Sequence, residues 1–178
     1  MISLHGPRGA GKSTLGRALA ARLHRPFHDL DAEIERRAGR PLAVLLTESE
    51  PRFRDLEERC LMELLASGPA DLVLALGGGA VLRERARIAL QKTVRIYLFA
   101  SPEALRKRLR QAGEARPSLT GADPVLEVES VLAQRDPVYR AASDAALDTS
   151  ASTPSESVEA LAALVVGLLS LEQERRAS

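Results

Sequence analysis

The sequence predicts an α/β fold, a three-layer sandwich in which helices cover both faces of a five-stranded parallel sheet. Strand and helix signals alternate along the chain without internal repeats or long linkers, an order that is typical of parallel sheets. One strand signal, residues 71–75, contains a continuous apolar run, as expected for a strand that is buried on both faces. Because 178 residues suit one sizeable core, we expect a single domain over residues 1–178.

In the first half of the chain, the elements follow from apolar spacing and from the residues that stop them. Residues 2–5 can form a short strand, and Leu15, Leu19 and Leu23 recur at helical spacing within residues 14–23. The further elements expected in this half are a strand at 26–28, a helix at 32–38 that Gly39 stops, a helix at about 52–66, and a strand at 71–75.

In the second half, glycine and proline mark most of the boundaries. The sequence Ser101-Pro102-Glu103 combines a cap residue with a proline at the first helical position, which predicts a helix start. Residues 113–124 are the least regular stretch of the chain. The other elements expected in this half are helices at 81–90, 125–139 and 155–172 and strands at 93–99 and 144–148.

Residues 6–14, Gly-Pro-Arg-Gly-Ala-Gly-Lys-Ser-Thr, match the pattern G-x-x-x-x-G-K-[ST] of a phosphate-binding loop. Glycines let the backbone curl around an anion, and the N–H groups of the following helix favour negative charge. Lys12 can reach the β- and γ-phosphates of a nucleoside triphosphate, and the Ser13 hydroxyl can bind Mg²⁺. We therefore expect ATP to be bound by Gly9, Ala10, Gly11, Lys12, Ser13 and Thr14.

Two carboxylates, Asp29 and Asp31, come directly after the second predicted strand. In sheets of this kind the carboxyl ends of the strands face the ligand crevice. One carboxylate could hold Mg²⁺ through water, and the other could accept a proton from a substrate hydroxyl. Asp31 could equally be the N-cap of the helix predicted at 32–38, and the residues alone leave both interpretations open.

Two arginines are candidates for binding an acidic substrate. Arg54 lies three residues before Glu57 on one helical face, a spacing that by itself favours a solvated ion pair. Arg135, late in another predicted helix, could bind a substrate carboxylate with its forked guanidinium or could be solvated.

A glycine triplet and an irregular loop are further candidate site segments. Gly77, Gly78 and Gly79 directly follow an apolar strand, and each costs about 1 kcal/mol in backbone entropy relative to alanine. Close backbone approach to a ligand explains three glycines better than a tight turn does. The loop at about 111–124 is a candidate lid, in which Arg116 could close over the γ-phosphate or could be an ordinary exposed side chain.

The composition argues against several other classes of protein. A net charge of +1 and an aromatic content of 3% do not favour nucleic acid as a partner. Cys60 is alone, which excludes a disulfide within the chain. The longest apolar run, residues 161–169, is too short to span a membrane, and no signal peptide is visible. We therefore expect a cytoplasmic protein without a membrane partner.

Taken together, these motifs resemble those of the shikimate kinase family. The family pattern has six parts, and all of them occur here in order: residues 6–14, Asp29-Leu30-Asp31, Phe53-Arg54-x-x-Glu57, Gly77-Gly78-Gly79, Arg116-Pro117 and Arg135-x-Pro137-x-Tyr139. The resemblance covers essentially the whole chain. It implies a P-loop fold like that of nucleoside monophosphate kinases, with a substrate-binding region at about 30–60 and a lid at about 111–124.

The resemblance also implies an activity, the transfer of the γ-phosphoryl group of ATP to the 3-hydroxyl of shikimate, in the biosynthesis of chorismate and aromatic amino acids. The enzyme would be a cytoplasmic monomer that uses Mg²⁺, with Ser13 as a direct ligand and Asp29 binding through water. Asp31 would bind the shikimate hydroxyls and accept the proton of the attacking one. The other implied roles are phosphate neutralisation by Lys12 and Arg116, shikimate binding by Arg54, Gly77, Gly78, Gly79 and Arg135, and orientation of Arg54 by Glu57.

The chain departs from the family pattern at three points. The first strand is short, starting at Ile2, and the lid reads Arg116-Pro117-Ser118-Leu119, where leucine usually follows the proline. No arginine follows the last predicted strand. Adenine contacts would then rest on the backbone and on Arg108 or Arg110.

Two alternatives remain open at this point. The first is another small-molecule kinase of the same fold, such as a gluconate kinase, although the triple glycine and Arg54 favour shikimate. The second is a ligand-sensing domain without turnover, which would need a DNA-binding segment for which we expect no room before the phosphate loop.

Overall fold

The computed structural model describes residues 1–112 and 125–177, and its centre is a five-stranded sheet in the order β2-β3-β1-β4-β5. All neighbouring strands run parallel, so that Leu4 in the middle of the sheet pairs with Ala75 on one side and with Ile96 on the other. The predicted fold class is confirmed. The strands are β1 (Ile2–His5), β2 (Phe27–Asp29), β3 (Val73–Ala75), β4 (Val94–Phe99) and β5 (Ala145–Asp148).

Eight α-helices connect and cover the strands within the described residues. They are α1 (Lys12–Arg22), α2 (Leu30–Ala38), α3 (Leu42–Glu48), α4 (Glu50–Ser67), α5 (Glu84–Leu90), α6 (Pro102–Ala112), α7 (Val128–Ala141) and α8 (Pro154–Ala177). A 3₁₀ turn over Ala80–Leu82 precedes α5. Helix α8 continues through residues 173–177, beyond the end near residue 172 that the sequence predicts.

Two buried clusters pack on opposite faces of the sheet, because successive strand side chains point to opposite sides. In β4, Ile96 joins one cluster and Tyr97 joins the other. Helices α1 and α8 cover the face of Ile96, with Leu19 and Leu161 fully buried there. The opposite face is covered by α2, α4 and α5 through Leu30, Ile34, Leu61, Leu64 and Leu90. This is the predicted three-layer arrangement.

Helix α3 is absent from the elements that the sequence predicts. It has seven residues, starts after Pro41 in an extended conformation and ends at Ser49. Ser49 then caps α4 by accepting the N–H of Arg52, so α4 begins two residues earlier than predicted. In a helix of seven residues, the spacing of the apolar residues cannot be distinguished from that of a loop. Such a helix is stabilised by packing on its neighbours rather than by intrinsic helix propensity.

Helix α8 is more apolar over its length than the longest uninterrupted run suggests. Within the described residues it is the one helix that is long and apolar enough to cross a membrane, and 22% of its most apolar stretch is buried. The apolar run 161–169 is by itself too short for a membrane span, whereas the 22-residue stretch Pro154–Arg175 of the helix that contains it is long enough. Helices in the core of soluble proteins have the same properties, and Leu161 and Val165 of α8 are fully buried against the sheet.

Candidate active site

The phosphate-binding loop leaves the middle strand and enters α1 directly. Gly6 has φ +140° and Gly11 has φ +92°, conformations that side chains other than glycine rarely adopt. A Cβ atom at Gly6 would also collide with the backbone oxygen of Leu98 in β4. The loop therefore lies close to the sheet and leads into the N-terminus of α1, a place that favours an anion.

The ammonium group of Lys12 folds back over this loop. Its Nζ donates hydrogen bonds to the carbonyl oxygens of Gly6, at 2.9 Å, and of Pro7, at 2.8 Å. Lys12 is the first residue of α1, followed by Ser13 and Thr14, so all three lie in the first helical turn. The expected ATP-binding residues are thus contiguous around one helix N-terminus.

The two aspartates at the end of β2 and the start of α2 have different structural positions. Oδ1 of Asp29 accepts the N–H groups of Asp31, at 3.0 Å, and of Ala32, at 3.3 Å, so Asp29 is the N-cap of α2. The interpretation of Asp31 as the N-cap is wrong, because the helix starts at Leu30 and Asp31 is in its first turn. The carboxylate of Asp31 instead lines a cleft beside the phosphate-binding loop.

The donors near the phosphate-binding loop fit a magnesium ion held through a nucleotide. Within residues 1–112 and 125–177, no group of three or more His, Cys, Asp and Glu side chains could hold a metal ion. Nucleotide-bound Mg²⁺ needs only one or two protein oxygens beside phosphates and waters. The Ser13 hydroxyl and the Asp29 carboxylate are such donors. Asp29 is the last residue of β2, and the loop that leads to Ser13 leaves the carboxyl end of β1, a parallel strand of the same sheet.

Arg54 and Glu57 form an ion pair that is almost removed from solvent. Nη1 of Arg54 lies 2.9 Å from Oε2 of Glu57, and the two side chains are 13% and 3% exposed. The interpretation of Arg54 and Glu57 as a solvated ion pair, which their spacing favours, is therefore wrong. Nη2 of Arg54 also donates to Oε1 of Glu50, at 3.2 Å. Glu50 and Glu57 thus hold the guanidinium of Arg54 from two positions on α4.

The second carboxylate oxygen of Glu57 is buried in the same cleft. Among the described residues, Oε1 has no hydrogen-bond partner. Burial raises the pKa of Glu57, and Arg54 opposes that rise only in part, while the nearby Asp31 adds to it. The cleft thus contains a carboxylate whose charged form is destabilised by the loss of contact with water, which is characteristic of functional sites.

The glycine triplet lies against these side chains. A Cβ atom at Gly77 would be 2.5 Å from Oε1 of Glu57 and 2.7 Å from Oδ1 of Asp31. A Cβ atom at Gly79 would be 2.6 Å from Cζ of Arg54. Two of the three glycines are therefore required because the side chains of the site approach the backbone closely, which a tight turn alone would not demand.

The carbonyl oxygen of Gly78 connects the triplet to α7. It accepts a hydrogen bond from the hydroxyl of Tyr139 and a longer one, at 3.4 Å, from Nη1 of Arg135. The expected carboxylate-binding residue Arg135 is thus brought to the same cleft as Arg54. Tyr139 is fully buried, and burial raises the pKa of its hydroxyl.

The cleft also receives a residue that the sequence did not single out. Arg8 occupies a variable position of the phosphate-loop pattern, which gives no signal of its own. The lining consists of Arg8, Asp31, Leu42, Leu46, Phe53, Arg54, Glu57, Gly78, Gly79 and Arg135. Three arginines and two carboxylates around an apolar floor suit a small acidic molecule with hydroxyl groups.

The remaining expected site residues are near the phosphate-binding loop or outside the described part. Nη1 of Arg108 donates to the carbonyl oxygen of Gly9, at 3.1 Å, and to Oγ1 of Thr149, at 3.0 Å. Of the two arginines considered for adenine, Arg108 is therefore the one in contact with the loop, whereas Arg110 is exposed. Arg116 and residues 113–124 of the expected lid lie outside the described residues.

Comparisons with known proteins agree with these motifs. The family model of shikimate kinase matches residues 8–165. A shikimate kinase of Nitrobacter winogradskyi is 48% identical over 143 residues, which is 79% of this chain and 65% of that protein. This chain therefore spans slightly less than two thirds of the length of that relative. A shikimate kinase of Rhodococcus erythropolis is 41% identical over 157 residues, 87% of this chain and 90% of that protein.

Solved structures give the same family. The shikimate kinase of Acinetobacter baumannii in complex with shikimate superimposes with a TM-score of 0.84 at 35% identity, over 93% of this chain and 92% of that chain. A gluconokinase of Sinorhizobium meliloti, at a TM-score of 0.59 and 19% identity, shares the fold alone. From the family model and the relatives, the chain belongs to the shikimate kinase family.

Proposed function

We propose that this protein is a shikimate kinase, which transfers the γ-phosphoryl group of ATP to the 3-hydroxyl of shikimate and yields shikimate 3-phosphate and ADP. The observation that carries the proposal is the cleft beside the phosphate-binding loop, where Asp31, Arg54 and Arg135 meet. Shikimate has a carboxylate and neighbouring hydroxyl groups, and these are the groups that two arginines and an aspartate bind well.

In the proposed reaction, Arg54 and Arg135 bind the carboxylate of shikimate. Glu57 positions Arg54 through their ion pair, whose Nη1 to Oε2 distance is 2.9 Å. The N–H groups of Gly78 and Gly79 face the bound substrate, with Gly77 next to them. The fixed positions of these groups reduce the entropy that is lost when the acceptor meets ATP.

Asp31 is the proposed proton acceptor for the 3-hydroxyl group. The proton leaves that oxygen as the oxygen attacks the γ-phosphorus, and the bond from that phosphorus to the β,γ-bridging oxygen breaks to release ADP. Lys12 and Arg116 neutralise the charge on the phosphates, and the loop N–H groups of residues 9–14 bind them.

Mg²⁺ is the proposed cofactor, held by the Ser13 hydroxyl directly and by Asp29 through water. When bound, it neutralises charge on the β- and γ-phosphates. Because Oδ1 of Asp29 accepts two backbone N–H groups at the start of α2, this carboxylate keeps one orientation before any ion arrives. For adenine we propose Arg108 as the neighbouring side chain.

The proposal includes a cytoplasmic monomer with small-molecule substrates, acting in chorismate and aromatic amino-acid biosynthesis. It includes neither a nucleic-acid nor a membrane partner. Sedimentation of the purified protein tests the monomer, and its distribution between the supernatant and membrane fractions tests the cytoplasmic location despite the apolar α8.

The direct test is the release of ADP from Mg²⁺-ATP by the purified protein, with shikimate, gluconate or quinate as the acceptor. We expect strong stimulation by shikimate alone, and shikimate 3-phosphate as the second product by mass spectrometry. Stimulation by gluconate instead would establish another small-molecule kinase. ATP binding without stimulation by any of the three would contradict the kinase proposal and favour a sensor.

A further inference from the structure

Arg8 joins the two halves of the site. Its backbone belongs to the phosphate-binding loop, between Gly6 and Gly9, both of which have positive φ. Arg8 nevertheless lines the acceptor cleft together with Asp31, Arg54 and Arg135. The backbone nitrogen of Arg8 lies 3.9 Å from the position that a Cβ atom would occupy at Gly78, so loop and glycine triplet are in close contact here.

The charges in the cleft are those of three arginines and two carboxylates. Arg54 is paired with the buried Glu57 on α4, and Arg135 is held at the Gly78 carbonyl on α7. Both lie on the acceptor side and suffice for one substrate carboxylate as a pair of forked donors. Of the three arginines that line the cleft, Arg8 is the one that belongs to the phosphate-binding loop. Its position therefore suits the phosphoryl group, which moves from ATP to the acceptor.

Phosphoryl transfer changes the charge of the acceptor in this cleft. A phosphate monoester adds about 1.5 to 2 negative charges near neutral pH. The product must remain bound close to Asp31 and Glu57, whose carboxylates both line the cleft. A guanidinium can donate two parallel hydrogen bonds to two phosphate oxygens in one plane, and it stays protonated throughout the ordinary pH range.

We propose that Arg8 binds the transferred phosphoryl group, in the transition state and on the 3-position of the product. This inference rests on the proposed function, since it assigns a residue to the product of that reaction. Arg8 would then discriminate phosphorylated from unphosphorylated acceptor. Its loss would weaken binding of shikimate 3-phosphate far more than binding of shikimate.

The test compares Arg8→Met and Arg8→Lys with the unaltered enzyme. Methionine keeps much of the length of the side chain and removes the charge, whereas lysine keeps a charge without the fork. We expect Arg8→Met to raise the inhibition constant of shikimate 3-phosphate by at least about tenfold and to lower kcat by a similar factor, because charge-assisted hydrogen bonds have at least that effect. The KM for shikimate should change by less than about threefold, and Arg8→Lys should recover part of the product affinity.

Arg22→Met is the matched control. Arg22 is at the far end of α1 and pairs with Glu159 of α8, with 2.8 Å between Nη2 and Oε2 and the Arg22 side chain half exposed. This variant should leave all the constants unchanged, and circular dichroism melting should show all three variants folded. Arg8 lies in a partly exposed loop outside both buried clusters, so its substitution spares the core.

The outcomes separate this inference from the proposed function. If the unaltered protein turns over shikimate but product inhibition is the same in Arg8→Met, the role of Arg8 is overturned and the function stands. If KM and the inhibition constant rise by the same factor, Arg8 binds a group that substrate and product share, which also overturns it. A lack of turnover in the unaltered protein would overturn both proposals.

Discussion

The hydroxyl of Tyr139 donates a hydrogen bond to the carbonyl oxygen of Gly78, and so joins a helix near the end of the chain to the middle of the glycine triplet. The same oxygen accepts Nη1 of Arg135 at 3.4 Å. One carbonyl group therefore sets the position of the triplet and of a proposed carboxylate-binding arginine. Arg135 and Tyr139 lie 57 and 61 positions after Gly78 in the sequence.

Replacing Tyr139 by phenylalanine should weaken substrate binding through this connection. The change removes a buried donor and leaves the Gly78 oxygen with only the long bond from Arg135 among its described partners. We expect a loss of about 1–2 kcal/mol in the free energy of unfolding. The KM for shikimate should rise several-fold while the KM for ATP stays constant, as measured by steady-state kinetics.

Tyr97→Phe is the control for a purely structural effect. Tyr97 is equally buried and its ring packs against that of Tyr139, but its hydroxyl donates to Oδ1 of Asp136 at 2.8 Å and not to Gly78. It should lower the stability by a similar amount without changing the KM for shikimate. Equal changes in KM for the two variants would argue that Tyr139 acts only through stability.

Gly79→Ala should weaken acceptor binding by displacing Arg54. The new Cβ atom would be 2.6 Å from Cζ of Arg54, so the guanidinium must move, but this is the far end of a flexible side chain and the backbone can stay. We expect the KM for shikimate to rise at least about tenfold, the effect of a lost charge-assisted contact. Because the displaced guanidinium is the ion-pair partner of the buried Glu57, the melting temperature should fall as well, and the kinetics are measured well below it.

Gly167→Ala is the matched control for that substitution. Gly167 is in α8, and a Cβ atom there would meet nothing within 4 Å. Alanine should therefore raise the free energy of unfolding by about 0.5–1 kcal/mol, since glycine in a helix is costly, and should leave the kinetics unchanged. A rise in KM in both variants would contradict the specific displacement of Arg54.

Asp31→Asn should remove most of the turnover while ATP binding remains largely intact. Asparagine has nearly the same shape but cannot accept the proton, and general-base catalysis contributes about 10²- to 10⁴-fold in rate. Because Asp29 and not Asp31 caps α2, the helix should start at the same residue. The measurements are kcat and a nucleotide titration, and a lost affinity for ATP would instead make Asp31 structural.

Local patterns in the sequence predicted most of the fold. The phosphate-binding loop and the five strands follow from glycine spacing and apolar runs, which involve only neighbouring residues. Gly39 stops α2 as predicted, in the left-handed conformation that glycine favours. Helix α3 escaped prediction, because its seven residues complete barely two turns.

The site was harder to predict because its contacts are long-range. The i, i+3 spacing of Arg54 and Glu57 is the same on a surface and in a core, and only the fold shows that Glu57 is buried. The positions of Arg8 and Tyr139 depend on how the phosphate-binding loop and α7 approach the glycine triplet. The chemistry of the individual residues did not show that they belong to one site, and it was the resemblance to a family that brought them together.

His5, the last residue of β1, is fully buried directly before the phosphate-binding loop. Its Nε2 lies 3.1 Å from the carbonyl oxygen of Tyr139 and 2.9 Å from the hydroxyl of Ser143, while Nδ1 has no partner among the described residues. Nε2 therefore carries the proton of the neutral ring. Burial, with the charges of Lys12 and Arg95, lowers the pKa of His5 to about 4.

This shift predicts a loss of stability in mild acid. In the unfolded chain His5 has a pKa of 6.5, so between pH 6.5 and about 4 the unfolded state binds more protons than the folded state. The free energy of unfolding should fall as the pH is lowered through this window, by about 3 kcal/mol for this group.

Urea unfolding of the protein and of His5→Gln, whose side-chain amide can still donate, measures the difference. The two stability curves should diverge below pH 6.5, with the unaltered protein losing more, because glutamine does not titrate and other groups affect both proteins alike. Parallel curves would mean that His5 is charged in the folded protein, with a carboxylate or water compensating for its burial.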